Sequence, residues 1–110
     1  MAKRLPEKLF HIKEAVKNGN YRYTIHGAEQ RIARRLTKRE VLETIDSGEI
    51  IEDYPDHHYG PVCLLLGKTR ESKTLRILVS LQEVVDIVTV YEPSLDEWEE
   101  DLKTRRKNEK

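Results

Sequence analysis

The most informative stretch of this chain of 110 residues is VCLLLGKTRESKTLRILVSLQEVVDIVTVY, residues 62–91. It contains three apolar runs rich in β-branched side chains, separated by polar residues that are typical of turns. A similar run precedes it, so the sequence predicts four strands, at residues 49–54, 62–66, 75–81 and 87–91. Because the connections are short, we expect consecutive strands to pair antiparallel as a meander.

Helical patterns fill the chain before the strands. Apolar residues three and four apart between Leu5 and Val16 predict a first helix, which Gly19 ends. A short strand or extended segment at residues 21–25 follows, because aromatic and β-branched residues alternate there with polar ones.

Two further helices are expected before the first predicted strand. From Ala28 onward, Ile32 and Leu36 recur at four-residue spacing and predict a second helix with one apolar side. Thr37 and Glu40 form a capping box, in which each side chain accepts a hydrogen bond from the other residue's backbone N–H. A third helix therefore starts at this box.

A C-terminal helix is predicted after the last strand. Ser94 and Glu97 form a second capping box, and Leu95, Trp98 and Leu102 are spaced to share one helix face. The expected fold is α+β, with N-terminal helices, a four-stranded antiparallel meander and a C-terminal helix packed in two layers.

The composition limits the classes of protein that this chain can belong to. It is 36% charged and 37% hydrophobic, which fits one domain over residues 1–110, with a core at about 5–103 and a charged tail at 104–110. Cys63 is the only cysteine, which excludes a disulfide within the chain. No long apolar run or signal-peptide pattern occurs, so we expect a cytoplasmic protein that does not bind membranes.

The charges balance overall, at 20 Lys+Arg and 20 Asp+Glu, but they lie in blocks. Residues 22–39 carry six basic side chains and one acid, while residues 40–58 carry seven acids and no lysine or arginine. Six acids follow at 92–101, and residues 102–110 return five bases against one acid. Segregation of this kind favours binding of a charged partner, although charged helix faces can also be merely solvated.

The candidate site with the most chemistry is His26, with Gln30 and Arg34 following at steps of four on one helix face. An imidazole can take a proton from a ribose 2′-hydroxyl, and a guanidinium can bind the phosphate on which charge develops. The alternative is that His26 is bonded locally at the helix start and that the arginines are solvated. The neighbouring residues expected to bind RNA are Gln30, Arg31, Arg35 and Lys38.

Two other groups of residues are weaker candidate sites. His57 and His58, with nearby aspartates, have metal-ligating residue types, but no further ligand has metal-like spacing, so no metal site is expected. Arg76 and Tyr91 lie on strands that the meander brings together, where a tyrosine can stack on a base or merely pack at the edge of the core. No motif for a cofactor is present, and none is expected.

Several segments together resemble a bacterial family. They are YTIH at 23–26, Arg34 before LTKREV at 36–41, GEIIEDYP at 48–55, LLLG at 64–67, and VTVYEP at 88–93 followed by Trp98. Over residues 21–106 the chain resembles the family catalogued as domain of unknown function 4258. That family is similar in layout to the RelE-like and BrnT-like ribonuclease toxins, which implies a RelE- or barnase-like two-layer architecture.

The resemblance implies a small metal-independent endoribonuclease of a toxin–antitoxin type, with RNA and a small antitoxin protein as partners. It maps the histidine that opens the helix to His26, the arginine eight residues later to Arg34 and the sheet tyrosine to Tyr91. Together with Arg76, which we expect to help bind the phosphate, these are the predicted catalytic residues. The chain departs from the family pattern where Gln30 stands for an expected arginine and Arg76 for an expected histidine. The alternative function is a non-catalytic protein-interaction domain that uses the segregated charges.

Overall fold

The computed structural model describes residues 5–58 and 60–93. The elements follow one another as α1 (Leu5–Lys17), β1 (Tyr21–Tyr23), α2 (Ile25–Ala33), α3 (Lys38–Ser47), β2 (Glu49–Tyr54), β3 (Val62–Lys68), β4 (Thr74–Ser80) and β5 (Val85–Tyr91). The α+β class is confirmed, and the four predicted strands lie within two residues of β2 to β5. The predicted C-terminal helix and the charged tail lie outside the described residues.

The sheet differs from the expected meander in one strand. Its order is β1-β5-β4-β3-β2, in which β2 to β5 pair antiparallel and β1 pairs parallel with β5. The antiparallel pairing of the four predicted strands is confirmed, but the prediction that these four form the whole sheet was wrong. Three residues, Tyr21–Tyr23, add a fifth strand at the sheet edge, and Arg22 forms an ion pair of 2.6 Å with Asp86 on β5.

Two helices, α1 and α3, pack on one face of the sheet, which we call the core face. Gly67 on β3 lies so close to α3 that an added Cβ would sit 2.1 Å from the Thr44 carbonyl oxygen. The core face and its helices form one cluster of buried side chains: Ile12, Ala15, Val16, Leu36, Val41, Ile45, Cys63, Leu65, Leu75, Ile77, Val79, Val85, Ile87 and Val90.

The opposite face of the sheet carries the alternate residues of the same strands, because successive side chains on a strand point to opposite sides. We call it the far face. Cross-strand partners follow one another across it, with Leu66 beside Arg76 and Arg76 beside Tyr91 in one row, and Leu64, Leu78 and Thr89 in the next. The far face is defined by Val62, Leu64, Leu66, Arg76, Leu78, Thr89 and Tyr91.

Helix α2 runs along the edge of β5 and starts earlier than the sequence predicts. The Thr24 hydroxyl oxygen accepts a hydrogen bond from the Gly27 N–H at 2.9 Å, so the helix begins at Ile25 and not at Ala28. The expected apolar side was also wrong, since Ile32 is 65% exposed. Leu36 is buried, but it enters the core after the helix has ended at Ala33.

Helix α3 follows the sequence prediction closely. Both hydrogen bonds of the capping box are present, from the Glu40 N–H to the Thr37 hydroxyl at 3.0 Å and from the Thr37 N–H to a Glu40 carboxylate oxygen at 2.9 Å. Within residues 5–58 and 60–93, no helix is both long enough and apolar enough to cross a membrane.

Candidate functional site

Helix α2 and its C-cap residue Arg34 place His26, Gln30 and Arg34 at successive steps of four, and we call this set the His26 stripe. His26 is the second residue of the helix and is exposed. Arg34 Nε donates a hydrogen bond to Gln30 Oε1 at 3.3 Å. Among the described residues, no hydrogen bond engages the His26 ring. The structure thus brings Gln30 and Arg34 together and leaves the imidazole accessible.

Arg31, which was expected to bind RNA, is turned away from this stripe. Its Nη1 donates to the Leu36 carbonyl oxygen at 2.9 Å, and its guanidinium carbon lies 5.5 Å from the centre of the Tyr23 ring. Burial raises the pKa of the Tyr23 phenol, and the Arg31 charge acts in the opposite direction. Arg31 therefore ties the end of α2 to the side chains of the core face.

The two flanks of α2 face opposite sides of the sheet. Gly27 lies against β5, since a Cβ added there would sit 2.2 Å from the Ile87 carbonyl oxygen. Successive helical residues are turned by about 100°, which puts Arg31 on one flank of this contact and His26 on the other. Because Arg31 meets Tyr23, which packs against the core cluster, the His26 stripe lies on the side of the far face.

Exposed basic residues lie where α2 gives way to α3, starting with the last residue of the stripe, and we call them the basic corner: Arg34, Arg35, Lys38 and Arg39. Arg35 has a φ of 56°, in the left-handed region that glycine usually occupies after a helix. A non-glycine residue costs about 1–2 kcal/mol there. Backbone conformation therefore does not explain why this residue is an arginine. The charge of Arg35 extends the positive surface.

Arg76 and Tyr91 are direct cross-strand partners, as the predicted meander required. The Arg76 guanidinium carbon lies 4.4 Å from the centre of the Tyr91 ring, a geometry in which a cation is attracted to the ring face. Arg76 is 0% exposed, so its guanidinium holds Tyr91 within the fold and does not reach the solvent surface. Tyr91 also lines a cavity of about 220 Å³ with Tyr54, Leu64, Leu78 and Thr89.

The histidine pair in the β2–β3 connection is arranged as a stack. The rings of His57 and His58 have centres 4.2 Å apart and planes inclined by 28°. Nearby Asp53 is turned to the core face, where its carboxylate bonds the Lys8 ammonium at 2.7 Å. Within the part of the chain that the structure describes, no three histidine, cysteine or acidic side chains form a group that could hold a metal ion.

Sequence reasoning missed the buried cluster around Asp53. Lys8 lies on the buried side of α1, four residues before Ile12, and this position in an apolar stripe was the signal that it is buried. Cys63 donates a hydrogen bond to the other carboxylate oxygen of Asp53 at 3.4 Å. Burial, followed by Asp53, raises the pKa of the Cys63 thiol to about 12. The thiol is therefore an inert core group, as the sequence indicated.

The fold and site define a small α+β domain in which a helix with one exposed histidine, followed by exposed basic residues, borders the edge of a five-stranded sheet. The family model described as Domain of unknown function (DUF4258) matches residues 23–92, and the chain belongs to this family. The match includes α2, α3 and the strands β2 to β5. Searches of curated proteins and of solved structures find no match to this chain.

Proposed function

We propose that this chain is an RNA-binding domain that cleaves RNA without a metal ion, in the manner of the small ribonuclease toxins. The observation that carries the proposal is the accessible His26 imidazole on the same helix face as Arg34, which Gln30 positions. The basic corner adds the exposed side chains of Arg35, Lys38 and Arg39 to that of Arg34. Phosphates along an RNA strand are what such a surface binds best.

The His26 stripe supplies the groups that metal-independent cleavage needs. Neutral His26 takes the proton of a ribose 2′-hydroxyl, whose oxygen attacks the adjacent phosphorus. The bond from phosphorus to the 5′-oxygen breaks, a 2′,3′-cyclic phosphate forms, and the departing oxygen takes a proton from water. Arg34 binds the phosphate oxygens, on which negative charge increases during the attack.

Arg76 and Tyr91 enter this proposal in a supporting position. Tyr91 is half-buried on the side of the sheet that the His26 stripe faces, where its ring can position a base or a phosphate. Arg76 acts through Tyr91, because the guanidinium is buried against the ring. Arg35 and Lys38 contribute charge to the RNA surface, while Arg31 holds the helix against Tyr23.

A second candidate is a protein-interaction domain, and one observation favours it. Ile25 and Ile32 are 81% and 65% exposed, and they lie seven residues apart on the outer side of α2. Two isoleucines beside a basic corner suit a partner with apolar and acidic side chains. In the ribonuclease proposal this partner is a small antitoxin protein in the cytoplasm. In the alternative, binding of that partner is the whole function.

The decisive experiment compares purified wild type with His26→Ala on total bacterial RNA in the presence of EDTA, followed by mapping of the fragment ends. We expect wild type to leave 2′,3′-cyclic phosphate ends and His26→Ala to cleave about 10²–10⁴ times more slowly. His58→Ala is the matched control, because it removes another exposed imidazole outside the stripe. Absence of cleavage by wild type, even with translating ribosomes, would leave the interaction domain as the function.

RNA binding is tested separately from cleavage by its dependence on salt. Each phosphate contact contributes about 0.7 to the slope of log K against log salt for single-stranded RNA. Lys38→Gln should lower the slope by about this amount, whereas Lys17→Gln, at the exposed end of α1, should leave it unchanged. Equal slopes for all three proteins would remove the basic corner from the RNA surface.

A further inference from the structure

The far face of the sheet contains a cavity between the strands β2 to β5. Its volume is about 220 Å³, and it is lined by Tyr54, Leu64, Leu78, Thr89 and Tyr91. Leu64, Leu78 and Thr89 form one cross-strand row. Tyr54 pairs with Val62, and Tyr91 pairs with Arg76, in the rows on either side. Cross-strand partners share a face of the sheet, so the two tyrosines flank this row from opposite sides.

We propose that this cavity takes one unpaired base of an RNA strand whose phosphates are bound by the His26 stripe and the basic corner. The inference rests on the proposed RNA-binding function and names the part of the RNA that the far face recognises. All five lining side chains are uncharged, so the cavity suits an uncharged ring and not a phosphate. It is smaller than the roughly 300–1,000 Å³ of pockets for drug-sized ligands, which limits the occupant to a single ring system.

Two aromatic rings that are already held in place give the cavity its affinity for a base. Tyrosine rings stack on unpaired bases, because every base has a π-face. The Tyr54 hydroxyl donates a hydrogen bond to a Glu52 carboxylate oxygen, which fixes the position of that ring. The Arg76 guanidinium carbon lies 4.4 Å from the centre of the Tyr91 ring and holds it in the same way. Binding therefore does not have to order these side chains, which favours affinity.

The cavity lies close to the groups that would bind the RNA backbone. Gly27, which follows His26 in α2, packs against Ile87 on β5. Thr89 is two residues further along β5, a distance of about 7 Å. The His26 stripe faces the side of the sheet that carries the cavity, so an RNA strand bound at the stripe has a neighbouring base within reach. The Thr89 hydroxyl can donate or accept a hydrogen bond at the edge of that base.

The test measures the affinity of the full-length protein for two RNA oligonucleotides of about ten nucleotides, a length typical of single-strand sites. One has all its bases, and the other has abasic riboses with the same number of phosphates. We expect wild type to bind the first about 5–150 times more tightly, the factor that stacking of one base contributes. Tyr54→Ala removes a stacking ring and Thr89→Phe fills the cavity, so each should abolish most of this preference. Tyr54→Phe keeps the ring and should retain it.

Phe10→Ala is the matched control, because it removes an exposed ring on α1 and should leave both affinities unchanged. The slope of log K against log salt should also be the same in wild type and Tyr54→Ala, since no phosphate contact is lost. Circular dichroism confirms that each variant is folded, and Thr89→Phe decides the outcome if Tyr54→Ala unfolds.

Three results would overturn the proposal, and they separate it from the proposed function. Equal affinity of wild type for the two oligonucleotides would remove the base from the cavity and leave RNA binding by the basic corner intact. A preference that neither cavity variant reduces would place the base on another surface. Binding of neither oligonucleotide would refute RNA binding and the base cavity together, and would leave the cavity to an apolar side chain of a protein partner.

Discussion

Gly27 holds the candidate site at the edge of the sheet, and Gly27→Ala tests that contact. The substitution adds one methyl group at the point where α2 lies on β5. The new Cβ would sit 2.2 Å from the Ile87 carbonyl oxygen, whereas ordinary contacts begin at 3.4 Å. Helix α2 must therefore move away from β5 by about 1 Å, the difference between these two distances. The move strains the backbone hydrogen bond of 3.1 Å from the Thr24 N–H to the same oxygen.

The expected loss of stability follows from two opposing effects. Overpacking of a close contact costs about 1–3 kcal/mol. Alanine is a better helix former than glycine by up to about 1 kcal/mol, and this gain opposes the loss. We expect a net destabilisation of about 1–2 kcal/mol, which corresponds to a fall in Tm of about 4–10 °C for a domain of this size.

Thermal and urea unfolding followed by circular dichroism measure this change. Glu29→Ala is the control on the same helix, since Glu29 is exposed and its Cβ is already present. It should stay within about 0.5 kcal/mol of wild type. A Gly27→Ala protein as stable as wild type, or more stable, would refute the close packing of α2 on Ile87. The position of the His26 stripe would then have no structural support.

Three further predictions concern the core and the capping box. Asp53→Asn should lower the free energy of unfolding by about 3 kcal/mol, because it leaves the buried Lys8 ammonium without its carboxylate. Lys8→Met should lower the free energy of unfolding clearly less in the same urea titration, because it leaves no buried ammonium behind. Equal losses for the two variants would contradict the claim that an unpaired Lys8 ammonium destabilises the Asp53→Asn protein. The backbone hydrogen bond from Thr37 holds the pKa of Glu40 below its usual value of 4.5, so the ionised carboxylate stabilises the fold above that pH. This stability is lost as the pH falls through the lowered pKa, and Glu40→Gln should show a shallower acid-side loss in urea unfolding than wild type. Cys63, with its pKa raised to about 12, should react with a disulfide reagent only when the fold opens, and fast labelling of the native protein would show that the thiol is exposed.

The parts of the fold that the sequence predicts well depend on short stretches of chain. Alternation and apolar runs located β2 to β5, and the Thr37 capping box located α3, because each signal and its structural cause lie within a few residues. The start of α2 was missed because Thr24 caps the helix without a glutamate three residues later. Thr24 also donates to carbonyl oxygens on β5, and this choice of partner is not visible locally.

In the candidate site, too, local features were predicted from the sequence, whereas features that depend on tertiary contacts were not. Helical spacing predicted that Gln30 and Arg34 share a face, and their hydrogen bond confirms it. The sequence did not show that the Arg31 side chain points away from the His26 stripe. Its orientation depends on a contact with Tyr23, which lies in a different element. Nor did it show that Arg76 is buried, because a charged residue in an alternating strand ordinarily faces solvent.

Local patterns in the sequence therefore identify the α+β class, the ends of α3, the positions of four strands and the composition of the basic surface around His26. The parallel pairing of Tyr21–Tyr23 with β5, more than sixty residues away, and the position of α2 on the edge of that strand depend on the assembled sheet. The physical reason is that strand pairing and sheet packing join residues far apart in the chain. A pattern read over a few residues specifies which side chains can be buried, whereas the assembled sheet specifies which partner buries them.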